Sequence, residues 1–237
     1  RSFDGVIATT TWLKKILEKS ISGTPVYYAS TAGLTTPFLV SQSKQLLRKK
    51  LGLPLDEPVF LSVSRLSKEK RTDILLRGFL HWAQRHHKGI LIIIGDGANR
   101  RHLEAIASRS PHHHRVKFMG KIPNEKLQSW YSSADVFLYS SITDTIGINI
   151  LEAMSAGLPV VAPDHITTRE IIVSGSNGVL YKGDASKMAK AIDMTIARRN
   201  IMAKQALAIS KKYHISTTVR ELMNIYETVI GEHKKSI

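Results

Sequence analysis

The sequence predicts an α/β fold, a Rossmann-like doubly wound parallel sheet covered by helices. From about residue 58 onward, short apolar segments rich in Val and Ile alternate with longer segments of helical period, which is typical of parallel strands joined by crossover helices. The apolar segments are continuous rather than alternating, and this favours strands buried on both faces. The predicted strands are 59–63, 90–94, 116–118, 136–139, 159–162 and 178–181.

Helices are predicted where apolar residues recur every three or four positions. Residues 72–86 and 124–132 each place large apolar side chains on one helical face. After the last strand, Asp184 is predicted to open a long helix, and two further amphipathic helices are predicted at 201–213 and 217–230. The end of the chain is therefore expected to be all helix.

The beginning of the chain has a different organisation. A strand at 4–9, a helix at 12–19 and a strand at 24–29 make an incomplete sheet fragment, and a polar segment then leads to a basic helix at 43–50. The first residue is Arg1 and no charged-then-apolar leader follows, so we expect a processed chain or a piece of a longer one. We divide the chain into 1–29, a linker with the basic helix at 30–57, a main domain at 58–216 and a C-terminal helix at 217–237.

Composition excludes several classes of protein. With 237 residues, 43% of them hydrophobic, the chain can bury a core, so disordered and collagen-like classes are excluded. The absence of cysteine excludes thiolate catalysis, Cys-ligated zinc and iron–sulfur clusters. The longest apolar run, at 89–95, is far shorter than the roughly 20 residues that span a bilayer.

The charge is strongly basic, with 34 Lys and Arg against 19 Asp and Glu and a formal net charge of +15. Nucleic-acid binding, adsorption to an anionic membrane surface and attraction of an anionic substrate are all compatible with it. The basic residues are dispersed and no nucleic-acid motif accompanies them, so we expect no nucleic-acid partner and favour the membrane surface. The histidines at 86–87 and 112–114 lack ligand spacing, and we interpret them as surface loops.

Ligands of open α/β sheets bind beyond the carboxyl ends of the strands, so the loops that leave the strands are the candidate sites. The first predicted strand is followed by Ser64 and then by Arg65 and Lys70, five positions apart. Two cations at a strand-to-helix turn can hold a diphosphate. A solvated lysine-rich turn is the alternative interpretation.

The next two loops contain glycine. Gly95 and Gly97 flank an aspartate after the second strand, where they would let the backbone turn tightly beside a ligand, or form an ordinary turn. Gly120 and Lys121 follow the third strand, where backbone groups could meet the edge of a nucleobase. A plain loop explains that segment equally well.

The loop after the fourth strand carries the most information. Gly147 lies where a helix is predicted to begin, so the N–H groups of Ile146, Gly147 and Ile148 are expected to be free at the positive end of its dipole. Asp144 and Glu152 are eight positions apart, and the two carboxylates could accept hydrogen bonds from sugar hydroxyls. The alternative is an N-cap-like Asp144 and a surface Glu152.

Together these loops, in this order, resemble the C-terminal, nucleotide-sugar-binding domain of retaining GT-B glycosyltransferases, the "glycosyl transferases group 1" family. The resemblance is strong over about half the chain, residues 59–181. It rests on SRLSKEK at 64–70, GDG at 95–97, FMGK at 118–121, WYSSADVF at 130–137, GINILEAMSAGLPVV at 147–161, EII at 170–172 and NG at 177–178. The fold implied is one Rossmann-like half of a GT-B enzyme.

The resemblance implies a role for each matching residue. Arg65 and Lys70 would bind the donor diphosphate and stabilise the charge that develops as it leaves. Glu152 would hold the ribose hydroxyls, and Asp144, where the family usually has glutamate, would lie near the hydroxyls of the donor sugar. The remaining donor-binding residues implied are Ser64, Gly97, Gly120, Lys121, Thr145, Ile146, Gly147 and Ile148.

Three positions depart from the family pattern. Asp144 is one methylene shorter than glutamate, so the loop must come closer, the donor sugar differs, or activity is weakened. Ser64 and Arg71 stand where glycine is common, and neither change breaks the motif.

The function implied is the donor-binding half of a retaining glycosyltransferase. It would transfer a hexose from a UDP- or GDP-linked sugar to a glycan or lipid-linked acceptor, with no metal and no other cofactor. Residues 1–29 would be a remnant of the N-terminal acceptor domain, to which the helix at 217–237 would cross back. The location expected is cytoplasmic, peripheral on the cytoplasmic face of a membrane if the basic surface binds lipid.

Three other functions compete with this one. A nucleotide-sugar-binding module that has lost catalysis and serves regulation or assembly is suggested by Asp144. A GT-B sugar-nucleotide epimerase fits the motif series less well, and an RNA-binding Rossmann domain would require tight, salt-dependent RNA binding.

Overall fold

The computed structural model describes residues 3–30, residue 34 and residues 41–235 of the chain. Its first part holds two short parallel strands, β1 (Val6–Ala8) and β2 (Val26–Tyr28), with helix α1 (Thr11–Ser20) between them. Helix α2 (Lys44–Leu51) then precedes the main sheet. The predicted linker at 30–42 lies largely outside the described residues.

The main sheet has six strands, and every pairing within it is parallel. They are β3 (Val59–Val63), β4 (Ile90–Ile94), β5 (Val116–Gly120), β6 (Val136–Leu138), β7 (Val160–Pro163) and β8 (Gly178–Tyr181). Their order across the sheet is β5-β4-β3-β6-β7-β8. The order therefore reverses between β3 and β6, and the crevice beyond their carboxyl ends is the place where such sheets bind ligands.

Helices cover both faces of this sheet. They are α3 (Thr72–Ala83), α4 (Arg100–Ser108), α5 (Asn124–Ser133), α6 (Ile148–Ser155), α7 (Ile166–Arg169), α8 (Ala185–Ala197) and α9 (Arg199–Ser210), and they are followed by α10 (Ile215–Lys235). Two buried clusters result, one on each face, because neighbouring strand residues such as Phe60 and Leu61 point in opposite directions and both are buried. The prediction of strands buried on both faces is confirmed.

Several predicted boundaries are wrong. Helix α3 ends at Ala83 rather than at residue 86, and the helix predicted at 201–213 begins at Arg199 and ends at Ser210, followed by a 3-10 turn. Helices α4 and α7 were not predicted. Helix α4 contains few large apolar residues and α7 spans only four residues, so neither produces a clear period.

The predicted basic helix implied that Arg48 lies on a basic surface. In the structure Arg48 belongs to the core. Its side chain is 5% exposed and donates to the backbone carbonyls of Ser133, Pro54, Leu55 and Glu57, while Nη2 pairs with Asp135 at 2.5 Å. A buried guanidinium is tolerated only with such complete pairing. Arg48 thereby fixes α2 and the segment before β3 against the end of α5.

A second buried arginine closes the opposite end of the strands from the crevice. Arg115 donates to the backbone carbonyls of Gly89 (2.7 Å), Ala83 (3.1 Å), His86 (2.6 Å) and Lys88 (2.6 Å). Its charge lies 5.6 Å from the ring of Trp82. The carbonyls of the last residue of α3 and of the segment that follows it are thus bound by a side chain from the approach to β5.

The first part of the chain contacts the end of α7 and the last helix. Thr11 donates to the carboxylate of Glu170 through its N–H at 2.8 Å and its hydroxyl at 2.7 Å. A side-chain carbon built on Gly5 would lie 3.6 Å from Val229 of α10. Helix α10 therefore runs beside β1, while the domain assignment of residues 1–29 and 217–237 stays a prediction.

Candidate functional site

The loops that follow β3 and β6 meet in a cleft of about 430 Å³. They meet because the two strands are neighbours in the sheet, although 72 residues lie between the end of β3 at Val63 and the start of β6 at Val136. The cleft is lined by Val63, Ser64, Arg65, Lys70, Asp144, Ile146, Gly147, Ile148, Asn149 and Glu152. Both predicted cations and both predicted carboxylates thus lie in one cleft.

A second cavity of about 420 Å³ adjoins the first and shares Val63, Ser64 and Arg65 with it. Its other lining residues are Ile94, Gly95, Asp96, Lys121, Ile122, Asn124 and Leu127. Of the predicted donor-binding residues, Lys121 lies here, whereas Gly97, Gly120 and Thr145 line neither cavity. The cleft therefore has a charged compartment and a more apolar one.

Gly95 and Gly97 let two loops pack against each other. A side-chain carbon on Gly95 would lie 1.8 Å from the carbonyl oxygen of Ser64, and one on Gly97 would lie 2.4 Å from that of Leu66. Their φ angles are +133° and +156°. The tight approach that the sequence suggested for a ligand is thus made by the backbone of the loop after β3, and contact of Gly97 with a donor stays a prediction.

The two cations occupy different environments. Arg65 is 70% exposed and its Nη2 lies 3.2 Å from the carboxylate of Glu69. Lys70 is only 18% exposed and pairs with Asp144, while its backbone carbonyl accepts the hydroxyl of Ser140 at 2.7 Å. Exposed pairs contribute little to stability, so Arg65 is available to a ligand while Lys70 is already engaged.

Arg71 follows Lys70 in a strained conformation. Its φ is +53°, and it is the one non-glycine residue with positive φ in the part of the chain that the structure describes. This conformation favours glycine, the residue common at this position in the pattern that the sequence resembles. The departure therefore carries a backbone cost of about 1–2 kcal/mol.

Asp144 is held through both carboxylate oxygens. Oδ1 pairs with the ammonium of Lys70, and Oδ2 accepts a 2.6 Å hydrogen bond from the hydroxyl of Tyr139. Burial raises the pKa of Asp144, but the hydrogen bonds from Lys70 and Tyr139 outweigh this and hold its pKa below the ordinary value. Burial and the neighbouring carboxylate raise the pKa of Tyr139, so its hydroxyl stays a donor.

Glu152 is held by a second buried tyrosine. The hydroxyl of Tyr131, on α5, donates to Oε2 of Glu152 at 2.7 Å. Burial raises the pKa of Glu152, and the Tyr131 hydrogen bond opposes this only in part. Burial together with the Glu152 charge raises the pKa of Tyr131 well above its ordinary value. Glu152 thus faces the cleft as a constrained side chain and not as the surface acid of the alternative interpretation.

The start of α6 differs from the prediction in one respect. The N–H of Ile148 is not free, because it donates to the carbonyl of Ile146 at 3.0 Å. The side chain of Asn149 donates to the carbonyl of Val63 at 2.7 Å, which ties α6 to the end of β3. A side-chain carbon on Gly147 would lie 3.2 Å from the Tyr139 hydroxyl and 2.8 Å from Ile150. A larger residue here would therefore have to displace the side chain of Ile150 and approach the Tyr139 hydroxyl closely.

Sequence reasoning missed Tyr131, Tyr139 and Asn149. Tyr131 and Tyr139 occupy apolar periods that indicate core, and only their hydroxyls reach the cleft carboxylates. Asn149 was included in the loop without a role. Among the described residues, no group of three or more His, Cys, Asp or Glu side chains is arranged to hold a metal ion.

The family comparison decides what kind of domain surrounds this cleft. A sequence model described as "Glycosyl transferases group 1" matches residues 43–212. The chain belongs to this family. The resemblance inferred from the loop motifs is thus confirmed, and the match begins at Ser43, before the predicted domain start at residue 58.

Named relatives of this glycosyltransferase domain agree. An uncharacterized glycosyltransferase from Methanocaldococcus jannaschii is 30% identical over 191 residues, covering 78% of this chain and 49% of the relative. The alpha-monoglucosyldiacylglycerol synthase of Acholeplasma laidlawii is 26% identical over 202 residues, covering 83% and 50%. The chain therefore spans about half the length of the curated relatives it matches.

Solved structures share the fold. The crystal structure of Anabaena HepE in complex with UDP-glucose matches with a TM-score of 0.81 and 24% identity, over 95% of this chain and 64% of that one. The predicted fold, a Rossmann-like half of a GT-B glycosyltransferase, is confirmed. In the described part of the chain, every helix is too short or too polar to cross a bilayer.

Proposed function

We propose that this domain is the donor-binding half of a retaining glycosyltransferase that takes a hexose from a nucleotide-diphosphate sugar. The observation that carries the proposal is the cleft of about 430 Å³ beyond β3 and β6, which is lined by Arg65 and Lys70 and by Asp144 and Glu152. Paired cations suit a diphosphate, and carboxylates suit sugar hydroxyls. No single residue type in the cleft would indicate both parts of such a ligand.

The chemistry follows from the charges. When the sugar departs from the nucleotide, negative charge develops on the diphosphate, and Arg65 and Lys70 would stabilise that charge in the transition state. We propose that these two side chains supply this stabilisation without a metal ion. Glu152 would accept the ribose hydroxyls and Asp144 a hydroxyl of the donor sugar, while the adjoining apolar cavity beside Lys121 would receive the base.

UDP is the nucleotide to test first, with GDP as the comparison. The proposal draws on Anabaena HepE, whose fold this chain shares and which was crystallised with UDP-glucose. We further propose a glycan or lipid-linked acceptor, bound by the remainder of the full-length protein. The name of the Acholeplasma laidlawii relative, a monoglucosyldiacylglycerol synthase, supports a lipid acceptor.

Calorimetric titration of the full-length protein with UDP and with GDP tests the donor site, first with EDTA and then with magnesium. We expect metal-independent binding of one nucleotide, weakened at least tenfold by Arg65→Ala and by Lys70→Ala. Arg199→Ala and Lys212→Ala, which remove exposed cations outside the cleft, are the matched controls for net charge. Equal affinities in all four variants would refute the assignment of the two cations, and a strict requirement for magnesium would refute the metal-free mechanism.

A catalytically inactive nucleotide-sugar-binding module with a regulatory or assembly role is the second candidate. The observation that favours it is Asp144, which is shorter than the glutamate of the family pattern and is already paired on both oxygens. Incubation of the full-length protein with UDP-glucose and water or acceptor lipids separates the two. Turnover that is abolished by Lys70→Ala supports the enzyme, whereas nucleotide binding with no turnover in the wild type or in Asp144→Glu supports the module.

Peripheral binding to an anionic membrane surface is a separate proposal. It is supported by the net charge of +15 and by exposed lysines such as Lys15, Lys49 and Lys50. Flotation with vesicles of phosphatidylcholine and phosphatidylglycerol at moderate salt should carry the protein upward. Vesicles of phosphatidylcholine alone are the control. Failure of the protein to float with the anionic vesicles, or equal flotation with both kinds of vesicle, would overturn the proposal.

A further inference from the structure

Lys70 has two competing partners in the cleft. Its ammonium pairs with Oδ1 of Asp144, and the same ammonium is the cation that would meet a diphosphate. Its backbone carbonyl is tied to the hydroxyl of Ser140 at 2.7 Å, so its main chain is fixed to the loop after β6. Only the side chain of Lys70 can therefore move between the Asp144 carboxylate and a bound ligand.

The Lys70–Asp144 pair is the stronger of the two ion pairs at this site. Its side chains are 18% and 22% exposed, against 70% and 43% for Arg65 and Glu69. Partial burial strengthens the attraction of opposite charges and reduces screening by salt. A diphosphate that takes Lys70 must therefore displace a carboxylate that already neutralises it, whereas Arg65 is released at little cost.

Tyr139 determines where that carboxylate lies. Tyr139 is 3% exposed, and its hydroxyl donates to Oδ2 of Asp144 at 2.6 Å. By donating to Oδ2, the hydroxyl stabilises part of the negative charge that would otherwise attract Lys70 more strongly. Loss of the hydroxyl would leave the carboxylate with Lys70 and the Ser141 side chain, and would strengthen its pairing with Lys70.

We propose that Asp144 competes with the donor diphosphate for Lys70, and that Tyr139 is the positioning residue that limits this competition. When the diphosphate takes Lys70, Oδ1 of Asp144 is released as an acceptor facing the cleft while Tyr139 retains Oδ2. Recognition of the sugar by Asp144 then follows recognition of the diphosphate. This inference rests on the proposed function, since it takes a nucleotide diphosphate as the ligand.

The first test is UDP affinity in Asp144→Asn, measured by calorimetry on the full-length protein, or GDP affinity if the wild type prefers GDP. Removing the competitor should tighten UDP binding about two- to fivefold, the fold-change that corresponds to the upper part of the range for such ion pairs. Glu69→Gln removes the same charge from the exposed pair beside Arg65 and should change affinity by less than twofold. The turnover of a UDP-sugar should fall in Asp144→Asn although UDP binds more tightly.

The second test isolates Tyr139. Tyr139→Phe should weaken UDP binding two- to threefold in the wild-type background, because Asp144 then pairs more strongly with Lys70. The same substitution in the Asp144→Asn background should leave affinity within twofold, and this coupling separates positioning from a general structural effect. Tyr213→Phe, which removes a hydroxyl bonded to the Glu170 carbonyl at 3.4 Å outside the cleft, is the matched control.

The outcomes are distinguishable. If the wild type binds UDP or GDP and Asp144→Asn binds it no more tightly, the competition is refuted and the proposed donor site stands. If Tyr139→Phe weakens binding equally in both backgrounds, its positioning role is refuted. If the wild type binds neither nucleotide, the proposed function fails and the inference fails with it.

Discussion

Replacing Gly95 by alanine tests how the two loops of the cleft are held together. The added carbon would lie 1.8 Å from the Ser64 carbonyl oxygen, a distance at which one of the two backbones must move. The N–H of Ser64 donates to the Ile94 carbonyl at 3.0 Å, so the movement disturbs the junction of β3 and β4. The wall shared by both cavities contains Ser64 and Arg65, and it would be displaced.

The size of the effect follows from two terms. The φ of Gly95, +133°, is one that other residues rarely adopt, and such strain costs about 1–3 kcal/mol. Forcing an extra carbon into a packed contact costs about a further 1–3 kcal/mol. Gly157 is the matched control, since its φ is +75° and nothing lies within 4 Å of an added carbon, so alanine there costs only about 1–2 kcal/mol.

Urea unfolding followed by circular dichroism measures both variants, and calorimetry measures their affinity for UDP. We expect Gly95→Ala to lose about 2–6 kcal/mol of unfolding free energy and to bind UDP more weakly. Gly157→Ala should lose less and bind as the wild type does. Equal losses in the two variants, or wild-type UDP affinity in folded Gly95→Ala, would show that the loop contact does not shape the cleft.

Two other predictions concern buried charge. Arg48→Met should lower the free energy of unfolding by about 3–5 kcal/mol, because it leaves the Asp135 carboxylate buried beside unpaired carbonyls. Adding Asp135→Asn should recover part of that loss. A double-mutant cycle measured by urea unfolding that shows no coupling between the two positions would contradict this. Glu152→Gln should raise the unfolding free energy at pH 8, because burial raises the pKa of Glu152 and its ionisation is unfavourable. Because the pKa of Glu152 is raised in the folded state, the stability that is present below its ordinary pKa of 4.5 is lost as the pH rises. The stability advantage of the glutamine variant should therefore vanish at pH 4. An advantage that does not change with pH would contradict the reasoning.

The sheet was predictable because its signal is local. Strands at 59–63, 90–94 and 178–181 have the predicted bounds, since each is a continuous apolar segment between turn residues. The same holds for the co-location of Arg65 and Lys70 with Asp144 and Glu152, because parallel strands bring their exit loops to one edge. The strand order, which makes β3 and β6 neighbours, was not predicted and is known from the structure.

What could not be predicted depends on contacts between distant parts of the chain. Nothing in the segment around Tyr139 distinguishes it from an ordinary core residue, and the role of its hydroxyl follows only from the position of Asp144. The basic character of the helix at 43–50 concealed Arg48, whose partners follow it by 6 to 87 residues. The N–H of Ile148, which was predicted to be free, donates to the carbonyl of Ile146. The presence of Gly147 in the sequence does not by itself specify that local geometry.

Arg115 stabilises the end of the sheet that lies away from the cleft. With one side chain it fixes the carbonyls that lead out of α3 and into β4, at the end of the sheet away from the cleft. Strand register is therefore anchored where no ligand is expected, and the loops at the other end need not maintain it. For protein engineering, this makes the cleft loops the place to randomise for a new donor sugar, and the surroundings of Arg115 the place to leave untouched.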